Sequence, residues 1–235
     1  MRLEINTSAD EIQSIFNRMA SRKEANQVIK KALNRTVRQA SKEILPQVRE
    51  VYTVKRGTFK NSDIKVNGAS MKTRMTASIR ITGEPQSPKN NFQFKKNSAR
   101  KAVRVRILKS GGLKPIEIGA GKSSLKAFIA TIENGSEGDS EKNSHTGIFQ
   151  RVEGKYMNRG RITDKGYSSQ NTYKPRRLKD GRMTKGRQSI KEIFTVSNPK
   201  MVENQKVYQP WREKTGSMLQ ENLREFVDQA LGGKT

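Results

Sequence analysis

An apolar stripe with the period of an α-helix constrains the fold of this chain more than any other sequence feature. It runs over residues 25–51, with apolar side chains three or four positions apart and lysine and arginine on the opposite face. Thr7 or Ser8 is placed to cap the start of the helical pattern. Pro46 should kink or break it, because proline removes a backbone donor and clashes with the preceding turn. The pattern predicts a helical region over residues 7–55.

Residues 64–132 contain stretches that alternate between apolar and polar side chains, as the strands of a half-buried sheet do. The clearest strands are residues 70–82 and 99–109, an apolar strand follows at 125–132, and a further strand and a long helix are expected within 190–231. Lysine and arginine alternate with the apolar residues of the first two strands, so one face of the sheet should be basic. The residues predicted for this basic strand face are Lys72, Arg74, Arg80, Arg104 and Arg106.

These patterns predict an α+β fold, a small antiparallel β-sheet packed by long N-terminal and C-terminal helices, in one domain over residues 1–235. The core should be modest, because the hydrophobic class is 32% of the chain. The absence of cysteine excludes disulfide bonds and thiolate metal sites. No signal-peptide pattern opens the chain and no window approaches the length of a membrane span. We therefore expect a soluble chain made inside a cell, with no membrane partner.

A large surplus of positive charge is the strongest indication of function. The chain has 48 lysines and arginines against 22 aspartates and glutamates, a formal net charge of +26. A free chain with that charge repels itself and attracts polyanions. Most of these side chains would still only solvate the surface, but the surplus favours a nucleic acid or an acidic protein as partner.

A net charge of +9 (12 − 3) lies in residues 151–189, part of a long segment without helix or strand periodicity. Residues 133–189 are expected to form an irregular basic insert, of which 151–189 should be disordered in the free chain and become ordered against DNA or a neighbouring subunit. If this arm neutralised about 6–8 phosphates, log K would fall with log salt at a slope of about −5 to −7. Its predicted partner- or DNA-contacting residues are Arg151, Lys155, Arg159, Arg161, Lys165, Lys174, Arg176, Arg177, Lys179, Arg182, Lys185 and Arg187.

The only histidine of the chain, His145, is the first candidate for chemistry. It could act as an acid or base with Glu133 or Asp139, or bind a metal, but its turn-rich surroundings favour a structural residue. The run GAGKSS at 119–124 lacks the first glycine of a phosphate-binding loop, and an apolar strand follows it where such a loop precedes a helix. The sequence contains no catalytic motif and no spaced set of metal ligands. We expect no enzyme activity, no cofactor and no metal.

Five stretches occur in a recognisable order: ALNRTVRQASKEILPQVREVYTVKRGTF (32–59), IRITGEP (79–85), VRILKSGGLK (105–114), AFIATIENG with HTGIFQR (127–151) and IKEIFTVSNPKMVEN (190–204). Their order, and the succession of HTGIFQR and IKEIF above all, resembles the bacteriophage minor tail protein Z family, the tail-completion proteins of long-tailed phages. The segment between residues 152 and 188 departs from the family pattern and looks extended here.

The resemblance implies a structural virion protein, assembled in the host cytoplasm, that completes the head-proximal end of the tail at the head–tail junction. It implies a ring-forming subunit, a hexamer by analogy with tail symmetry, whose partners are tail terminator, tube or connector proteins. It also implies no enzymatic activity, makes His145 and Phe149 fold-forming residues at the start of a strand, and includes Gly147 in the same structural motif. Whether genomic DNA touches the chain is left open. Two alternatives stay open as well: a basic, non-specific nucleic-acid-binding protein and an enzyme that acts on nucleic acid.

Overall fold

The computed structural model describes residues 1–70, 75–95, 103–116, 127–133, 144–157 and 187–232. These residues form five α-helices, one short 3-10 helix and nine β-strands in three antiparallel sheets, which confirms the predicted α+β class. The chain separates into two compact units, Met1–Pro85 with Val196–Thr235 (unit 1) and Gln86–Thr195 (unit 2). The single domain over the whole chain stays a prediction.

Unit 1 is mainly helical, and unit 2 consists mainly of strands. The elements of unit 1 are β1 (Arg2–Ile5), α1 (Ala9–Arg18), α2 (Arg22–Val51), the 3-10 helix (Asn61–Asp63), β2 (Ile64–Asn67), β3 (Ala77–Ile81), α4 (Asn198–Glu203) and α5 (Gln205–Gly232). The elements of unit 2 are α3 (Pro88–Asn91), β4 (Gln93–Lys95), β5 (Arg104–Arg106), β6 (Lys114–Pro115), β7 (Phe128–Glu133), β8 (Ser144–Met157) and β9 (Arg187–Glu192).

Serine side chains cap both N-terminal helices. At α1 the backbone N of Glu11 donates to Oγ of Ser8 at 3.2 Å, and the backbone N of Ser8 donates to the Glu11 carboxylate at 3.1 Å. This reciprocal capping box satisfies two donors that the helix itself leaves free. At α2 the backbone N of Glu24 donates to Oγ of Ser21 at 3.2 Å. The Ser8 cap is therefore confirmed, and the predicted helical region divides at Ser21.

Pro46 lies inside α2 without ending it, so a break at this position is wrong. Proline leaves the carbonyl of Lys42 without its helical donor. Both Pro46 and Lys42 are exposed, so water can bind that carbonyl. Ile44, Leu45 and Val48 around the proline are buried, and their packing holds the helix together through it.

Helix α5 packs antiparallel along α2, and two buried hydrogen bonds fix the register between them. Nε1 of Trp211 donates to the backbone carbonyl of Ala40 at 2.9 Å. Farther along, Nδ2 of Asn222 donates to Oγ1 of Thr36, also at 2.9 Å. A shift of either helix would leave these buried polar groups without partners, which costs more than the bonds contribute. The buried residues of α5 are Val207, Trp211, Thr215, Leu219, Asn222, Leu223 and Val227.

Strand β3 is the centre of the sheet in unit 1, between β1 and β2. Both neighbours pair with it in antiparallel register. Ala77, Ile79 and Ile81 are buried and Arg80 is exposed, as the alternation predicts, but Ser78, predicted on the same face as Arg80, is buried as well. Helix α2 packs against β2 and β3, and the core of unit 1 lies where the sheet, α2 and α5 bury their apolar residues.

Unit 2 contains two further three-stranded sheets, β4-β5-β6 and β7-β8-β9. The prediction of one sheet is therefore corrected to three. The prediction of an irregular segment over 133–189 is wrong for residues 144–157, which form β8, and for 187–189, the start of β9. β8 is the central strand of its sheet, so its backbone donors and acceptors pair with β7 on one side and β9 on the other. That pairing outweighs the glycine- and serine-rich composition on which the irregular prediction rested.

Several predictions concern residues outside the described part of the chain. Lys72 and Arg74 lie within 71–74, GAGKSS lies at 119–124, and Asp139 lies within 134–143. Most of the predicted basic arm belongs to residues 158–186, which are also outside it.

Candidate functional site

The predicted basic strand face is divided between two sheets. Arg80 lies on β3 in unit 1, whereas Arg104 and Arg106 lie on β5 in unit 2. A single basic face is therefore wrong. Alternation in the sequence indicates which residues of one strand share a face. It does not indicate which strands pair with one another, because that depends on contacts between distant parts of the chain. Lys72 and Arg74 are outside the described residues.

Arg80 is the middle member of three cations that lie side by side across the sheet of unit 1. The strand register places Arg2 of β1 and Lys65 of β2 directly opposite Arg80. All three residues are exposed, and the guanidinium of Arg2 also contacts the carboxylate of Glu4 at 3.3 Å. We call Arg2, Arg80 and Lys65 the cation row. Like charges directly opposite one another destabilise a sheet, so packing does not account for the row.

The sequence patterns did not indicate Arg2 and Lys65 as partners of Arg80. β1 and β2 have four residues each, too few to establish a period. The alternation of charged and apolar residues in RLEI was the available signal, but it does not say which strand lies beside β1. Only the register brings the three cations together.

Strand β5 carries a smaller basic cluster in unit 2. Arg104 is exposed and lies opposite Lys95 of β4, which is also exposed. Arg106 is half-buried, and its Nη2 donates to the backbone carbonyl of Lys109 in the turn after the strand. Arg106 therefore helps to close a turn, and Arg104 and Lys95 are the neighbouring cations that face solvent on β4 and β5.

Three of the twelve predicted arm residues belong to strands. Arg151 and Lys155 lie in β8, and Arg187 lies in β9. Arg151 lies opposite Ile190, and Met157 lies opposite Arg187. Arg151 and Arg187 are thus paired within the sheet, whereas Lys155 lies where the register shifts between Arg151 and Tyr156, and the disorder predicted for the free chain stays a prediction. The other arm residues lie outside the described part of the chain: Arg159, Arg161, Lys165, Lys174, Arg176, Arg177, Lys179, Arg182 and Lys185.

The run HTGIFQR forms the first half of β8. The backbone of His145 pairs with that of Ile132 in β7, and Phe149 lies opposite Phe128 of β7 on one side and Glu192 of β9 on the other. Phe149 and its neighbour Ile148 are both buried. Successive side chains of a strand point to opposite faces, so the sheet is covered on both faces at this point.

Gly147 is buried in the same strand, and its lack of a side chain leaves room for a neighbour. A Cβ at Gly147 would lie 2.4 Å from Oε1 of Glu192, closer than such atoms can approach. The carboxylate of Glu192 therefore occupies the space that any larger residue at position 147 would need. A larger residue at position 147 would have to displace the flexible end of the Glu192 side chain, so this packing favours glycine without requiring it.

Among the described residues, no group of three or more histidine, aspartate and glutamate side chains is placed to hold a metal ion. In the same part of the chain, no helix is both long and apolar enough to cross a membrane. No protein-family model matches the chain, and neither the curated proteins nor the solved structures include a significant match to it. The resemblance to tail-completion proteins therefore stays a prediction.

Proposed function

We propose that this chain is a structural protein of a tailed bacteriophage, which completes the head-proximal end of the tail at the head–tail junction. The observation that carries the proposal is the position of HTGIFQR and IKEIF, the two stretches on which the resemblance depends most. HTGIFQR lies in β8 and the first three residues of IKEIF lie beside it at the end of β9, where Phe149 is opposite Glu192 and Arg151 is opposite Ile190. The resemblance thus concerns one paired unit of structure, which favours a shared fold over two coincidental runs.

The segment in which the chain departs from the family pattern lies between the same two strands. Met157 at the end of β8 pairs with Arg187 at the start of β9, so the connection leaves and re-enters the sheet at neighbouring positions. The length of such a connection can change without altering the register of the strands that it joins. An extended segment at this place is compatible with family membership.

The charge of the chain suits a junction through which DNA passes. Duplex DNA carries one negative charge for about every 1.7 Å of its axis, and this chain has a formal net charge of +26. We propose a closed ring, hexameric by analogy with tail symmetry, whose interfaces join two different patches of adjacent subunits. Its partners are the tail terminator, tube or connector proteins, and the cation row is available for contact with the genome.

A density map of the intact particle tests this proposal. We expect the subunit at the head-proximal end of the tail, in a closed ring, and we expect it in purified particles by immunoblot. Absence from purified particles, together with a monodisperse monomer at high protein concentration, would contradict the proposal.

A second candidate function is that of a basic, non-specific nucleic-acid-binding protein. The exposed cation row favours it, because three opposed cations on a sheet suit phosphate contacts without base readout. This candidate predicts nanomolar affinity of the isolated chain for any duplex, lost steeply with salt, whereas the virion protein predicts only weak duplex binding before assembly. An affinity titration of the isolated chain at two salt concentrations separates the two.

A further inference from the structure

Helix α2 presents a row of cations along its exposed face. Between residues 27 and 49 its exposed positions recur every three or four residues, at 27, 31, 35, 38, 42, 46 and 49. Five of these seven positions are basic, the other two are Gln27 and Pro46, and none is acidic. The five cations, which we call the α2 stripe, are Lys31, Arg35, Arg38, Lys42 and Arg49.

Helix α5 in the same unit offers a comparison, because its exposed charges are of mixed sign and three of them pair with residues of α1 and α2. It has 28 residues against 30 in α2, whose exposed charges over its whole length are seven basic residues and one acidic residue, Glu50. Its exposed charges are balanced, with four basic residues and four acidic ones: Lys206, Arg212, Lys214 and Arg224, and Glu213, Glu221, Glu225 and Asp228. Mixed signs of this kind are sufficient for solubility. The single sign of the α2 stripe therefore requires another explanation.

Stability does not supply that explanation. Like charges three or four residues apart on a helix repel each other, and the stripe contains such pairs at Lys31–Arg35, Arg35–Arg38 and Arg38–Lys42. Among the described residues one carboxylate forms an ion pair with the stripe, that of Glu225 with Arg35 at 2.7 Å. The arrangement destabilises the free helix, and an anionic partner would relieve it.

We propose that the α2 stripe binds the sugar–phosphate backbone of a nucleic-acid duplex. Lys31 and Arg49 are 18 residues apart, which is about 27 Å along a helix, and a duplex of that length presents about eight phosphates on each strand. The exposed face carries no large apolar residue, which a protein partner would need at the centre of its interface. Phosphates require only charge and donors, and three of the five cations are arginines, whose guanidinium can offer two N–H groups to one phosphate.

This inference rests on the polyanion contact in the proposed function and assigns that contact to a helix of unit 1. It is tested with the full chain and a labelled duplex of random sequence, by fluorescence anisotropy over a range of salt concentrations. The stripe variant is Lys31→Gln/Arg38→Gln/Lys42→Gln, which leaves Arg35 in its pair with Glu225. The control variant is Lys206→Gln/Arg212→Gln/Arg224→Gln on α5. Both variants have the same net charge, 26 − 3 = +23.

The stripe variant should bind the duplex with a smaller salt dependence. Removal of three phosphate contacts lowers the magnitude of the slope of log K against log salt by about 2–3, and the affinity near 0.1 M salt falls about 100-fold. The control variant should keep the wild-type slope within about 0.5. Equal losses in the two variants would mean that binding follows net charge alone, and the assignment to the α2 stripe would be wrong.

Further measurements show whether the α2 stripe acts in binding or in folding, and whether its partner is a nucleic acid or an acidic protein. The charge-preserving variant Lys31→Arg/Arg38→Lys/Lys42→Arg should bind like the wild type, and the stripe variant should melt no lower than the wild type, because it removes repulsion. Tighter binding to polyglutamate than to the duplex would assign the stripe to an acidic protein and overturn the proposal. A wild-type chain that occupies the tail junction but binds no duplex would also overturn it, while leaving the proposed structural function intact.

Discussion

The side-chain amide of Asn198 connects three segments of unit 1. Its Nδ2 donates to the Asp63 carboxylate at 3.1 Å and to the backbone carbonyl of Thr82 at 3.3 Å, and the residue is buried. Gly83 follows at once, with a φ of +141° that L-residues rarely adopt. A Cβ at Gly83 would lie 2.4 Å from Nδ2 of Asn198. The start of α4 is thus fixed to the end of β3 through one amide and one glycine.

We expect Gly83→Ala to lower the free energy of unfolding by about 2–4 kcal/mol, because it adds backbone strain to a steric clash with a buried side chain. Gly57→Ala is the matched control, since Gly57 has a φ of +89° but open space around the position of its Cβ. The control should cost only about 1 kcal/mol, the backbone term alone. Urea denaturation measures both, and equal losses would show that the contact with Asn198 is unimportant.

Asn198→Ala tests the same contact from the other side. The single variant should destabilise the protein by about 1–3 kcal/mol, because the amide bonds to Asp63 and Thr82 are lost from a buried site. In the background of Asn198→Ala, the cost of Gly83→Ala should fall by about 1 kcal/mol or more, because Nδ2 and Cγ, the two nearest clashing atoms, are removed and only the Cβ at position 198 remains. Additive costs in the double variant would contradict this coupling.

At the scale of elements, Pro46 is a local conflict in α2 that the packing of the helix overrides. We expect Pro46→Ala to raise the stability of unit 1 by about 1–2 kcal/mol, because it restores the donor for the carbonyl of Lys42 and improves helix propensity. Part of the gain is offset, since proline also restricts the unfolded chain. Thermal unfolding followed at the helical circular-dichroism signal measures the change.

Gln27→Ala is the matched control for Pro46→Ala. Gln27 is exposed on the same face of α2, and the substitution changes no backbone donor. It should alter stability by less than about 0.5 kcal/mol. If Pro46→Ala left stability unchanged or lowered it while Gln27→Ala had no effect, the proline would be needed for the shape of α2. That result would contradict our interpretation.

The elements most predictable from the sequence are those whose evidence is local. The stripes of α2 and α5 repeat over many turns, and the caps at Ser8 and Ser21 follow from side chains within three residues of the helix start. The strands of three or four residues, such as β1 and β4, show no period long enough to recognise. Composition alone misjudged the strand in HTGIFQR, because its glycine and serine neighbours indicate a turn, whereas the resemblance placed the start of a strand there. Residues 144–149 pair with β7, and pairing with β9 follows from Phe149 onward, which imposes the extended conformation.

The candidate site was predictable only in part, for the same reason. Alternation along one strand identified Arg80 as an exposed cation, but Arg2 and Lys65 join it through strand pairings between residues 78 and 15 positions apart in the sequence (80 − 2 and 80 − 65). Alternation equally suggested that Arg80 and Arg104 share a sheet, and they do not. The basic residues of the α2 stripe could have been identified from helical periodicity. Their assignment as a binding surface also depends on their exposure and on the contrast with α5, and both of these come from the structure.

At the scale of the whole molecule, the net charge of +26 opposes folding by self-repulsion. The described ion pairs offset little of it, because pairs such as Lys214–Glu43 and Arg18–Asp228 are partly or largely exposed and contribute only about 0–1 kcal/mol each. Folding therefore depends on the apolar core, and the charge acts mainly on partners. A polyanion that binds the folded chain should stabilise it by mass action.

Salt should consequently stabilise the free protein. Raising sodium chloride from about 0.05 to 0.5 M shortens the screening length from about 14 to 4 Å, and each kcal/mol of repulsion removed should raise the Tm by about 2–4 °C. Among the described residues the four longest helices belong to unit 1, so the helical circular-dichroism signal is used to follow that unit. The stripe variant has fewer closely spaced like charges, so its Tm should rise less with salt than that of the α5 control variant, although both carry +23 (26 − 3). A Tm that falls with salt would mean that exposed ion pairs outweigh repulsion and that the charge surplus serves the fold after all.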